Sequence, residues 1–409
     1  MRLKRVPRGS TGQQIAAFET TPAETCPYQN EVGGQTPVSP PQAPRARAPS
    51  LQPTVILFGR LGDMVMVSSV LHPLHLRFQQ PCLILGAGEW NAPLFSAQPD
   101  VAEVWSLPRH VPFFLSPVFW RALWSLRRCH PGPIYVCERQ PRQLARVRRL
   151  LRLSGIDPAR CLFITDLAAS HEEHWVDRFV RFSAGTPAAL RASDYPLPRL
   201  QDVPAPVLCV TDSERTERDA WIRSQGWDGR PLILVQPGNR RSMSKRRERR
   251  QLNADDKLWP TERWASLLER IQGRMPEALI LLCGTAREEA LLGEIRAAAR
   301  RAGVVEAKLP LRPLLALCEV AHSMISVDTG PAHAAAALGL PLVVLFGAES
   351  PRRWLPRSAL GSAVMGVGGP PERVRADQIS VEDVFSIWCE LLAKKAAPYR
   401  HPARTYEGA

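Results

Sequence analysis

The stretch Ser326-Val327-Asp328-Thr329-Gly330-Pro331-Ala332-His333, continuing through an alanine-rich segment to Pro341-Leu342-Val343-Val344-Leu345-Phe346-Gly347, decides the fold. It reads as a buried strand, a tight turn, a helix start and a second buried strand. Such a turn aims several backbone N–H groups, reinforced by the helix dipole, at one point. That point favours an anion, and in an α/β protein the usual anion is a phosphate. Asp328, Thr329 and Gly330 sit where an N-cap and a close backbone approach are needed, and His333 follows within the first helical turn. An ordinary capped helix between two strands explains the same residues equally well.

The same alternation extends to both sides. Toward the N-terminus, strands are expected at Thr54–Phe58, Pro81–Gly86, Val101–Leu107 and Pro133–Cys137. Helices are expected over Met64–Phe78, Pro117–Arg128, Arg142–Leu153 and His174–Phe182. Nearer the motif, strands at Leu232–Val235 and Ala278–Cys283 alternate with helices over Glu214–Gln225, Thr261–Gln272, Arg287–Arg301 and Arg312–Ala321, and a last helix follows from Val381 to Ala393. Strand–helix alternation of this kind specifies mostly parallel, doubly wound sheets. The expected organisation is a disordered tail at 1–50, an α/β domain at 51–190, a linker at 191–206, a second α/β domain at 207–395 and a flexible tail at 396–409. Ligands of such sheets bind beyond the carboxyl ends of the strands, so a cleft between the halves is where function is expected.

Composition narrows the class. The 409 residues are 45% hydrophobic, ordinary for a globular protein and too many for one core. No run of about 18 apolar residues offers a membrane span, and the N-terminus has no apolar stretch of the secretory kind. Nine dispersed cysteines without paired spacing fit a reducing compartment. The net charge of +14 points to anionic partners: nucleic acid, an anionic lipid surface or phosphorylated substrates. Seven of the eleven residues from Arg240 to Arg250 are basic. No aromatic residue interleaves that run, which argues against single-stranded nucleic acid.

Four loops after expected strands carry the candidate chemistry. Gly62-Asp63 follows the first strand; Asp63 is either a helix-capping acid or a carboxylate facing the cleft as a general base. Gln236-Pro237-Gly238-Asn239 offers a turn with free amides. Lys257 precedes Leu258-Trp259-Pro260, so its ammonium is placed to reach a phosphate, although most lysines only solvate a surface. Glu288, in Gly284-Thr285-Ala286-Arg287-Glu288-Glu289, is either an acid at a helix start or an acceptor for ribose hydroxyls. The chain has neither a GxxxxGK[ST] phosphate loop nor a GxSxG elbow, and no cluster with metal-ligand spacing.

Gly59-Arg60-Leu61-Gly62-Asp63-Met64-Val65, Lys257-Leu258-Trp259-Pro260-Thr261-Glu262-Arg263-Trp264-Ala265 and Asp328-Thr329-Gly330-Pro331-Ala332-His333, in that order, resemble glycosyltransferase family 9, the lipopolysaccharide heptosyltransferases. The resemblance spans about Thr54 to Ala393. It implies the GT-B architecture: two facing Rossmann-like domains with an interdomain cleft, the first on the acceptor side and the second binding the nucleotide sugar. It further implies inverting transfer of a heptose from ADP-heptose to the lipopolysaccharide inner core, with no cofactor and no obligatory metal. On this likeness Asp63 is the catalytic base, with Arg60 and Gly62 on the acceptor side. Lys257, Asp328, Thr329, Gly330 and His333 bind the donor diphosphate, and Glu288 the nucleoside. The implied partners are the donor, a lipopolysaccharide core or other lipid-linked acceptor and an anionic inner-membrane surface, with no nucleic acid. The expected location is cytoplasmic, peripheral on the inner membrane. A GT-B transferase using another nucleotide sugar is the nearest alternative; a non-catalytic nucleic-acid-binding protein is the more distant one.

Overall fold

The structure, a computed structural model, describes residues 50–108, 115–129, 132–170, 172–198, 205–242 and 255–396. The expected tail at 1–50 (residue 50 apart), most of the basic run at 240–250, part of the expected linker and the tail beyond 396 lie outside the described residues.

Thr54–Leu57 forms β1, buried at every position. With β2 (Cys82–Ala87), β3 (Val101–Leu107), β4 (Ile134–Val136) and β5 (Cys161–Phe163) it builds a parallel sheet in the order β3-β2-β1-β4-β5. A second parallel sheet contains β6 (Leu232–Gln236), β7 (Leu279–Cys283), β8 (Val304–Ala307), β9 (Ser323–Val327), β10 (Leu342–Phe346) and β11 (Val364–Gly368), in the order β11-β10-β9-β6-β7-β8. Each sheet starts at a central strand, grows one way, then crosses to the other side. The crossings leave crevices at β1/β4 and β6/β9, where strand order reverses and ligands of such sheets bind.

The helices cover the sheets in layers. α4 (Pro117–Cys129) and α5 (Pro141–Leu153) seal one face of the first sheet over Ile56, Leu85, Trp105 and Val136. α8 (Thr261–Arg274), α9 (Glu289–Ala298) and α13 (Val381–Ala396) cover the far face of the second. Between the sheets, α1 (Leu61–Val67), α2 (Leu71–Phe78) and α6 (Trp175–Ser183) join α10 (Leu311–Val320) and α11 (Gly330–Ala337) in one continuous apolar cluster. The two halves are therefore held by shared burial as well as by the chain. Further helices among the described residues are α3 (Asn91–Phe95), α7 (Asp212–Ser224) and the single turn α12 (Pro351–Trp354).

The continuous helix expected over Met64–Phe78 is instead α1 and α2, joined by a 3₁₀ turn at Ser68–Val70. The Ser68 and Ser69 hydroxyls donate to the carbonyls of Val65 and Met66, and Pro73 has no N–H for the carbonyl four residues back. Strands β5, β8 and β11 were not expected from the sequence; all three run along sheet edges and are only partly buried. No disulfide joins the described cysteines.

Candidate active site between the two sheets

Each crevice receives a helix N-terminus, and the two meet. α1 starts after β1 and α11 starts after β9, and they pack against each other. A methyl group on Gly330 would lie 2.7 Å from Leu61 Cβ, and one on Gly62 would lie 3.1 Å from His333 Cδ2. Glycine at both positions allows this approach; a real Cβ at 330 would collide.

Asp63 is the third residue of α1 rather than its N-cap. Its Oδ2 accepts the Arg60 backbone N–H at 2.8 Å, and its Oδ1 accepts Nη2 of Arg139 at 3.2 Å. Its side chain keeps 18% exposure, so the carboxylate is reachable from solvent. Arg139 follows β4, on the other side of the same crevice. Its guanidinium stacks 4.2 Å from the ring centre of Trp175 and 4.7 Å from that of Trp354, one indole from each half. Behind it, buried Glu138 accepts the backbone N–H groups of Phe58, Arg139 and Gln140, tying the ends of β1 and β4 together. Sequence reasoning missed both residues.

On the facing wall, Lys257 Nζ donates to Asp328 Oδ2 at 2.5 Å and to the Asp328 carbonyl at 3.1 Å. His333 Nε2 lies 3.8 Å from Asp328 Oδ1. Burial alone pushes the Asp328 carboxyl up, but His333 and the Lys257 ammonium outweigh it and hold it below the usual carboxylate range. Asp328 and His333 are 7% and 5% exposed, whereas Lys257 keeps 24%. Lys257 is thus the most accessible of the three, and Asp328 holds its ammonium in place. Thr329 occupies the N-cap of α11 without a side-chain cap, its hydroxyl instead lying 3.3 Å from that of Ser326. The first N–H groups of α11 are therefore not satisfied by that side chain.

Glu288 stands apart, at the end of β7. Burial raises its carboxyl above the ordinary glutamate value. Oε2 accepts from the Thr285 backbone and hydroxyl, and Oε1 from Ser242. This is the capping arrangement weighed in the sequence, with the carboxylate packed against Gly238. A ribose hydroxyl would have to take the place of Ser242. At the mouth, Arg60 is surrounded by Arg240, Arg241 and Arg139; partial burial first, then Arg240, hold its guanidinium below the ordinary arginine value despite Asp63. An anion placed there relieves that crowding.

The family model described as glycosyltransferase family 9 (heptosyltransferase) matches residues 166–379, a little over half of the 409. This chain belongs to glycosyltransferase family 9. The family 9 chain is 25% identical over 334 residues to lipooligosaccharide heptosyltransferase 2 of Haemophilus influenzae, covering 77% of this chain and 88% of the relative. The solved structure of Escherichia coli ADP-heptose lipopolysaccharide heptosyltransferase II superposes with a TM-score of 0.62 at 21% identity, over 85% of this chain and all of that one. Escherichia coli heptosyltransferase WaaC with ADP gives 0.58 at 15%, over 83% and 100%. The GT-B architecture follows, and this family 9 chain is a heptosyltransferase-like glycosyltransferase enzyme. A non-catalytic nucleic-acid-binding protein is thereby set aside. Among the described residues no helix is long and apolar enough to cross a membrane.

Proposed function

We propose that this enzyme moves a heptose from ADP-heptose to the inner core of lipopolysaccharide, with inversion at the anomeric carbon. The carrying observation is the meeting of α1 and α11, which puts the Lys257–Asp328–His333 cluster beside the turn that bears Asp63. The donor's diphosphate lies at the start of α11, where Lys257 and the uncapped N–H groups of Thr329-Gly330 face its negative charge. Glu288 takes the nucleoside end, while Arg60 and Gly62 border the acceptor.

In the reaction, the acceptor hydroxyl attacks the anomeric carbon from the side opposite ADP. The hydroxyl proton passes to the Asp63 carboxylate, which needs position more than a shifted pKa because the hydroxyl turns acidic as the new bond forms. The bond from the anomeric carbon to the β-phosphate oxygen breaks, and its electron pair leaves with ADP. Lys257 and the dipole of α11 stabilise the charge that grows on that oxygen. No step is assigned to a metal, so turnover is expected to survive treatment with EDTA. The expected setting is the cytoplasmic face of the inner membrane, where a lipid-borne acceptor meets a soluble donor.

The test is turnover with purified protein, ADP-heptose and a heptose-deficient lipopolysaccharide acceptor, read as ADP release together with a mass gain of one heptosyl unit. A scan of nucleotide sugars for thermal protection runs beside it. Protection by another nucleotide but not by ADP or ADP-heptose would replace the heptose assignment with another nucleotide sugar.

A further inference from the structure

We propose that the outer faces of α4 and α5 form a docking surface for an anionic lipid bilayer. The proposal names the surface that would carry the membrane association of the proposed function, but binding to it is independent of donor chemistry. Both helices seal the face of the first sheet that is turned away from the middle layer. Their inner positions, Phe119, Leu123 and Leu126 on α4 and Val147, Leu150 and Leu151 on α5, are buried. The outward face of an ordinary surface helix is polar. On α4 it instead presents Trp120 and Trp124, 53% and 52% exposed and four residues apart on one side of the helix. Leu115 at its start and Leu153 at the end of α5 are exposed as well.

The charge around these indoles has one sign. Neither helix contains an aspartate or glutamate. Arg121 and Arg127 flank the tryptophans, and α5 exposes Arg142, Arg146, Arg148, Arg149 and Arg152. At the rim of this face Glu103 of β3 pairs with Arg121 at 3.0 Å. Indole and guanidinium together are the chemistry of a bilayer interface: the ring settles at headgroup depth, while the arginine stem lies along apolar surface and its head meets phosphate. Two other occupants fit less well. A second copy of so basic a face would repel the first. Nucleic acid would use the arginines and could stack on the indoles, but gains nothing from the exposed leucines. The surface belongs to the half that carries Asp63, so docking there brings the first crevice close to a lipid-borne acceptor.

The test is flotation of the full chain with phosphatidylglycerol/phosphatidylethanolamine vesicles and with phosphatidylcholine vesicles, containing neither donor nor acceptor, at about 0.1 M salt. Wild type is expected to float with the anionic vesicles only. Trp120→Ser/Trp124→Ser, with its thermal midpoint checked, is expected to lose at least about tenfold in partition coefficient. Arg146→Gln/Arg149→Gln is expected to lose about thirtyfold, since each basic residue near an anionic surface contributes about 1 kcal/mol. Turnover of both variants on a delipidated, water-soluble acceptor should match wild type; absence of turnover in wild type with flotation intact would strike at the proposed function alone. Any of three results overturns the docking surface: wild type stays unbound to anionic vesicles; the folded variants float like wild type; or single-stranded RNA displaces the vesicles and the variants lose RNA binding alone.

Discussion

Asp63 and Lys257 carry the proposed chemistry, but their neighbours decide what they can do. Lys257→Met removes the exposed cation while leaving Asp328 paired with His333. We expect ADP affinity, measured by titration calorimetry, to fall by about tenfold to a hundredfold, as for loss of a charge-assisted hydrogen bond. Arg139 acts through Asp63 as a positioning residue. Arg139→Met should lower kcat by at least about tenfold with the donor KM little changed, because the group lost faces the base and not the diphosphate. Arg139→Lys should not restore it, since an ammonium cannot lie flat on the Trp175 and Trp354 rings as a planar guanidinium does. Asp63, Lys257 and the Asp328–His333 turn were legible because each lies in a short local motif. Arg139 was not: its meaning comes from Trp175 and Trp354, which are distant in sequence and meet only when the halves close. Glu138 had a faint local signal, an acid between a strand and the helix start at Pro141.

At the scale of elements, the contact of α1 with α11 is the joint on which the site depends. Gly330→Ala places a methyl against Leu61, and overpacking of this kind costs about 1–3 kcal/mol. The expected outcome is a lower urea midpoint together with a larger drop in kcat than stability alone explains, since the two motifs are pushed apart. Arg77 secures a second joint. Its buried guanidinium donates to the carbonyls of Ser183, Ala184, Gly185 and Tyr195 and to the Thr186 hydroxyl, fixing the chain that leaves α6. Arg77→Leu should cost about 3 kcal/mol in urea unfolding, because several carbonyls lose a charged donor at once. The long central strands were readable as continuous apolar runs. β5, β8 and β11 were not: β5 and β8 are only three and four residues long, too short to show a period, and β11 is interrupted by Gly366 and Gly368.

Across the whole molecule, the halves are tied beside the cleft as well as within it. Asp177 pairs with Arg357 and Glu172 with Arg352, and His174 Nε2 donates to the Leu355 carbonyl while Nδ1 accepts the Val176 N–H. That pair of bonds requires a neutral ring. Burial, then the nearby Arg357, pull the His174 pKa down to about 4. The unfolded chain takes up the proton near pH 6.5, which the folded chain resists. The stability from this group is therefore whole above about pH 6.5, declines as pH falls toward about 4, and then levels off. His174→Asn, which can keep the cap, should flatten the urea-unfolding profile between those values by up to about 3 kcal/mol. Two facing sheets were legible from the alternation of strands and helices. How closely the halves meet was not: Gly62 read locally only as a turn residue, and the close approach read at Gly330 was to an anion and not to the helix of the other half.

The measurement that bears most directly on the central claim is single turnover of Asp63→Asn beside its ADP affinity. A base facing the diphosphate cradle predicts a rate loss of about a thousandfold with ADP bound as tightly as by wild type. A variant that turns over within about tenfold of wild type would contradict the placement of the base.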